Sequence, residues 1–185
     1  LVIAFLLWDS YTGKAVVFDS GTNCGTILEE IVRRSLSVEA VLLTHTHGDH
    51  VADVERLLAQ SGNPPLYTNR LEPYAGAQLI DEDWILEVGA LSIRALLTSG
   101  HSVGGTSYLI DGLSQPVAVV GDALFAGSMG GGMISFSDAL QNNREKLMSL
   151  PDETLICPGH GPISSIGEEK QANPFFPEFE RKAST

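Results

Sequence analysis

Thr44-His45-Thr46-His47-Gly48-Asp49-His50 places three imidazoles and a carboxylate within the six positions 45 to 50. Rings crowded so closely repel one another once protonated, so the crowding points to a cation that they share. Ahead of this stretch, Ala40-Val41-Leu42-Leu43 is a short continuous apolar run of the buried-strand type. Behind it, residues 51–59 carry a helical pattern that stops before Gly62-Asn63-Pro64-Pro65. The cluster thus occupies a strand-to-helix loop at the carboxyl end of a sheet, where α/β architectures place their chemistry. His45 and His47, two apart in an extended segment, face the same way. Asp49 and His50, at the start of the helix, turn toward a neighbouring point. Mixed nitrogen and oxygen donors of this kind suit Zn²⁺ or Fe.

The chain has five histidines, and the two outside the cluster repeat its setting. His101 follows Gly100 after the β-like run 91–97, and His160 follows Gly159 after the run 154–157. Gly121-Asp122 closes the run 117–120 in the same manner. A lone Gly-His or Gly-Asp is usually a turn. Together, however, they leave no histidine outside a strand-end loop.

The 185 residues are 43% hydrophobic and 18% charged, which fits one domain with a real core. Eleven Lys and Arg against 23 Asp and Glu give a formal charge of −12, a surface that repels nucleic acid and anionic membranes. Two cysteines make no disulfide framework, so a reducing, cytoplasmic setting is expected. The apolar start, residues 1–8, is far too short to span a bilayer and reads as a strand. Leu1 in place of Met implies a trimmed N-terminus.

Residues 1–8 and 15–18 form a hairpin around Asp9-Ser10-Tyr11-Thr12-Gly13. Ile27, Leu28, Ile31, Val32 and Leu36 recur at helical spacing. Later strands are expected over 84–88, 91–97, 108–110, 117–120 and 154–157, with a helix from Ser137 to Met148 capped by Ser137. No linker divides residues 1–185. The tail, 171–185, is expected to lie as an extended strap.

His45-Thr46-His47-Gly48-Asp49-His50 followed by His101, Asp122 and His160 resembles the metallo-β-lactamase fold superfamily. The likeness runs from Phe18-Asp19-Ser20-Gly21 to Pro158-Gly159-His160-Gly161-Pro162. It implies an α+β fold, a four-layer αββα sandwich with the metal site at one edge of its two β-sheets. It also implies two divalent metal ions, Zn ahead of Fe or Mn. His45, His47 and His101 would hold one; Asp49, His50 and His160 would hold the other; Asp122 would bridge them. The expected catalytic residues are Asp49 and Asp122, working with a metal-bridging hydroxide, since paired cations bring the pKa of water down to about 7. Asp19 stands where the family has a carboxylate that orients the histidine loop, and Cys157 is a candidate neighbour of the ligands.

Gly121-Asp122-Ala123-Leu124-Phe125-Ala126-Gly127-Ser128 is most similar to the hydroxyacylglutathione hydrolase (glyoxalase II) branch. That implies hydrolysis of a small-molecule thioester, an S-hydroxyacyl thiol conjugate; a monomer or homodimer is expected, with no nucleic acid or membrane partner. A bridging Asp122 argues against true β-lactamases. Gly131, however, stands where this branch carries a Lys or Arg for a glutathione carboxylate. The helical C-terminal domain of the longer glyoxalase II enzymes also has no counterpart in the sequence. Ser128, Met129, Gly130, Gly131 and Tyr108 are the expected pocket residues. Lactone or other ester hydrolysis and an Fe(II) persulfide dioxygenase are the rivals; a nuclease or a non-catalytic metal binder ranks last.

Overall fold

The computed structural model describes residues 2–180. Its first sheet has the order β1-β2-β3-β4-β5, built from β1 (Phe5–Trp8), β2 (Lys14–Phe18), β3 (Ser37–Leu42), β4 (Leu66–Asn69) and β5 (Gln78–Ile80). Only β1 runs antiparallel to its neighbour. Between these strands lie α1 (Gly25–Arg34), α2 (Gly48–Val51) and α3 (Val54–Gln60). The second sheet is built from β6 (Ile85–Val88), β7 (Leu91–Leu97), β8 (Thr106–Asp111), β9 (Val117–Gly121), β12 (Leu155–Pro158) and β13 (Ser164–Ser165), in the order β13-β12-β9-β8-β7-β6. A small hairpin, β10 (Leu124–Phe125) with β11 (Ser128–Met129), follows β9. The helices α4 (Phe136–Asn142) and α5 (Ile166–Ala172) flank β12 in sequence.

Alternation along the strands sorts side chains into layers. Val16 and Phe18 of β2, with Ala40 and Leu42 of β3, meet Ile93, Tyr108 and Val119 in the core between the sheets. Their chain neighbours Val17, Val41 and Leu43 point the opposite way, onto Leu28 and Ile31 of α1 and Leu57 of α3. On the far side, Ala118, Val120 and Ile156 pack on Ala139 of α4, Leu147 and Ile166 of α5. The product is the four-layer αββα sandwich.

Several local expectations need correction. The single helix over 51–59 is two short ones, α2 and α3, interrupted where the Asp53 carboxylate accepts from Cys24 N at 2.8 Å. Ser135, not Ser137, caps α4: its Oγ accepts from Asp138 N at 3.2 Å, and the helix widens into a π-turn over Asn143–Leu147. The tail is not an extended strap. It completes α5, buries Phe176 completely and makes a 3-10 turn at Pro177–Phe179, because Phe176 is apolar enough to fold back onto the outer core. Residues 181–185 lie outside the described residues. Among the described residues, no helix is long and apolar enough to cross a membrane.

Tyr108 is a core residue and no part of a pocket. It is fully buried, its ring centroid lies 5.5 Å from that of Phe18, and its hydroxyl donates to the Leu43 carbonyl at 2.7 Å. Tyr108→Phe therefore leaves that carbonyl without this donor and should cost about 1–2 kcal/mol in a urea titration. Metal content should stay unchanged; a loss of metal would return Tyr108 to the site.

Candidate metal centre

Parallel pairing of β9 with β12 sets Gly121 beside Pro158, so Asp122 and His160 leave neighbouring strands at one end of the sandwich. The β3 end delivers the cluster at 45–50, and the β7 end delivers His101. Thr106 N donates to Thr44 O at 2.8 Å, joining the two sheets at this same edge.

There the scattered residues meet. His45 Nε2 and His101 Nε2 approach His47 Nδ1 to 3.1 and 3.0 Å. Tetrahedral nitrogens around Zn²⁺ would stand about 3.3 Å apart, so the spacing suits one cation. Asp49, His50 and His160 make a second group, with His160 Nε2 at 3.3 Å from Asp49 Oδ2. Asp122 lies between the groups. Its Oδ2 is 3.4 Å from His101 Nε2 and 3.6 Å from His160 Nε2, while Oδ1 is 3.4 Å from His50 Nε2.

His50 Nε2 and Asp122 Oδ1 are buried atoms without a hydrogen-bond partner. They face each other at 3.4 Å, too far for a good hydrogen bond, and a cation between them would satisfy both. The donor set therefore fits divalent metal, as the family likeness implies.

The outward nitrogens of His45, His50 and His101 are held by the protein, which aims their other nitrogens inward. Asp19, at a left-handed φ of 58°, accepts from Thr44 N (2.8 Å), Thr44 Oγ1 (2.7 Å) and the His50 Nδ1–H (2.8 Å). Thr44 Oγ1 in turn lies 3.1 Å from His45 Nδ1. Asp19 thus orients the histidine loop, and Thr44, which the sequence marks only as a strand end, relays that hold. His101 Nδ1 donates to Gly131 O at 2.9 Å. At Gly159 a Cβ would stand 2.4 Å from Asp122 Oδ1 and 2.6 Å from His50 Cε1, so only glycine fits behind the pair.

Burial depresses the pKa of His45 to about 4. Burial also opposes charge on His50, but the facing carboxylates of Asp122 and Asp19 outweigh it and hold that ring's proton up to about 10. An arriving cation must displace this proton, so uptake weakens as pH falls.

The other expected site residues sit elsewhere. Cys157 packs in the inter-sheet core beside its strand partner Val119, and burial pushes its thiol up to about 11. Cys24 is likewise buried, with a thiol near 11. Met129, expected in the pocket, is buried in the outer core, and Ser128 belongs with it to β11. Gly130 runs tightly behind the Asp122 carbonyl, whereas Gly131 opens onto free space. Sequence reasoning missed Glu72, which receives Thr46 and Gly104 through bonds 26 and 32 residues long in sequence. Burial works against its ionised form, yet the nearby Ser102 hydroxyl and hydrogen bonds from Thr46 and Gly104 hold its carboxyl below the usual range.

Known proteins are similar to this chain. A probable metallo-hydrolase of Streptococcus pyogenes serotype M6 is 31% identical over 188 residues, covering 87% of this chain and 80% of its own length. A hydroxyacylglutathione hydrolase of Cereibacter sphaeroides is 35% identical over 161 residues, which cover 85% of this chain and 61% of that relative. The crystal structure of the BLEG-1 B3 metallo-beta-lactamase matches with a TM-score of 0.83 at 28% identity, over 94% of this chain and 93% of the other. A family model covers residues 2–160, from the first sheet through His160, and by that match the chain belongs to the metallo-beta-lactamase superfamily.

Proposed function

We propose that this metallo-hydrolase is binuclear and cleaves thioesters. The observation that carries the reading is Asp122, whose carboxylate reaches His101 of one triad and both His50 and His160 of the other within 3.4–3.6 Å. His45, His47 and His101 would hold one divalent cation, Zn ahead of Fe or Mn, and Asp49, His50 and His160 would hold its partner. When bound, the pair supplies a water acidic near neutral pH and polarises the substrate carbonyl.

The chain's own groups do the rest. Asp49, with a side chain 44% exposed and Oδ2 3.3 Å from His160 Nε2, would orient the attacking water and take up its proton. Asp19, fixed by three donors, keeps His50 from turning as charge develops. A thiolate leaves without a strong general acid, which suits a cleft whose named groups are imidazoles and carboxylates. A panel of thioesters, lactones, other esters and a β-lactam tests the assignment: thioesters should turn over fastest. Faster lactone turnover would overturn the thioester assignment, and oxygen uptake with one bound iron would favour the dioxygenase.

The thiol half of the substrate is a separate question. All nine Lys and Arg among the described residues are ion-paired with carboxylates, and Gly131 offers the cleft no cation. An uncharged thiol therefore fits better than glutathione. Gly131→Lys should raise kcat/KM for a glutathione thioester about fivefold, the worth of one exposed ion pair near 1 kcal/mol, and leave an uncharged thioester unchanged. No gain would show that thiol recognition lies elsewhere.

A further inference from the structure

Glu72 lies just beyond β4 and is only 9% exposed. Its backbone is pinned: Glu72 N donates to Asn69 O at 2.9 Å, and its carbonyl accepts from Thr68 Oγ1 at 3.0 Å. From that fixed base, Oε1 accepts from Thr46 N and Thr46 Oγ1, both at 2.7 Å, and Oε2 accepts from Gly104 N at 2.9 Å. Thr46 stands between His45 and His47, and Gly104 stands three residues past His101. One carboxylate thus ties the loop carrying two imidazoles of the first triad to the loop carrying the third. Such charge-assisted bonds are about twice as strong as neutral ones. The approach requires glycine, since a Cβ at position 104 would sit 2.5 Å from the Glu72 Cβ and 2.9 Å from its nitrogen. The second triad is held differently, with His50 on Asp19 and His160 on the loop after β12.

We propose that Glu72 is a positioning residue: a clamp that sets His45 and His47 against His101 and so tunes cation affinity at that triad alone. The inference rests on the two-triad reading above but makes no use of the substrate. Glu72→Gln is the informative change. An amide keeps the size but offers one acceptor oxygen, so its NH2 must face the N–H of either Thr46 or Gly104, and one of the two backbone ties is lost.

The test is titration of Zn²⁺ into metal-free protein against a chromophoric chelator, for wild type, E72Q, H101A and the double variant. E72Q should weaken one of two binding steps about 10–100-fold, the range reached when a ligand's outer partner is lost. It should leave the other step in place. The double variant should be no weaker than H101A, because both changes act on one step. Equal weakening of both steps, or an unchanged titration, would overturn the clamp. If E72Q does not fold, Thr46→Val removes a single donor, and its titration decides by the same criterion with a smaller shift. A wild-type protein that cleaves no thioester, while E72Q still loses one step, would discard the substrate reading and keep the clamp.

Discussion

Asp122→Ala should yield a folded protein that binds cations poorly at both triads and cleaves thioesters more than about 100-fold more slowly. Losing an outer partner of a ligand already costs about 10–100-fold, and Asp122 is a candidate ligand in its own right. Its two oxygens face three imidazoles, and Oδ1 is buried without a hydrogen-bond partner. Removing them takes away the group common to both triads and leaves His50 Nε2 buried and uncompensated. Metal content and initial rates, measured on the same preparation, check the outcome. Full turnover by a metal-poor Asp122→Ala protein would refute two-cation hydrolysis.

His47→Ala should be as severe for a different reason. His47 Nδ1 is the atom that both His45 and His101 approach within 3.1 Å, so its loss leaves that cation two imidazoles and the Asp122 carboxylate it would share with the second site, a weaker donor set. Activity should vanish and one equivalent of metal should be lost, while the group of Asp49, His50 and His160 is left intact. Elemental analysis and circular dichroism together separate this result from unfolding. Retention of both equivalents with wild-type rates would exclude His47 as a ligand.

What could be read from residues alone follows from how local each signal is. The cluster at 45–50, and the Gly-His and Gly-Asp pairs at strand ends, are compact patterns, and the structure brings all seven residues to one edge. The long strand β7 shows its period plainly in Leu91, Ile93 and Ala95. Short edge strands do not: β5 has three residues, Gln78–Ile80, too few to display alternation, and it was not anticipated. Tyr108 shows another limit. Alternation places it opposite Ser107 and Leu109 across the sheet but does not say which face meets the cleft, and burial against Phe18 decides for the core. Glu72 was invisible because its partners are remote in sequence, and an acid after a turn reads as surface. Ser128 and Met129, expected in the pocket, instead pair with β10, a two-residue strand too short to show in the sequence.

The most direct measurement is stripping the purified protein of metal and restoring Zn²⁺ stepwise while thioester cleavage is followed. Paired occupancy predicts negligible rate in the stripped sample and a rise completed at two equivalents per chain. Undiminished cleavage after chelation, or a rate already maximal at a single equivalent, would contradict it.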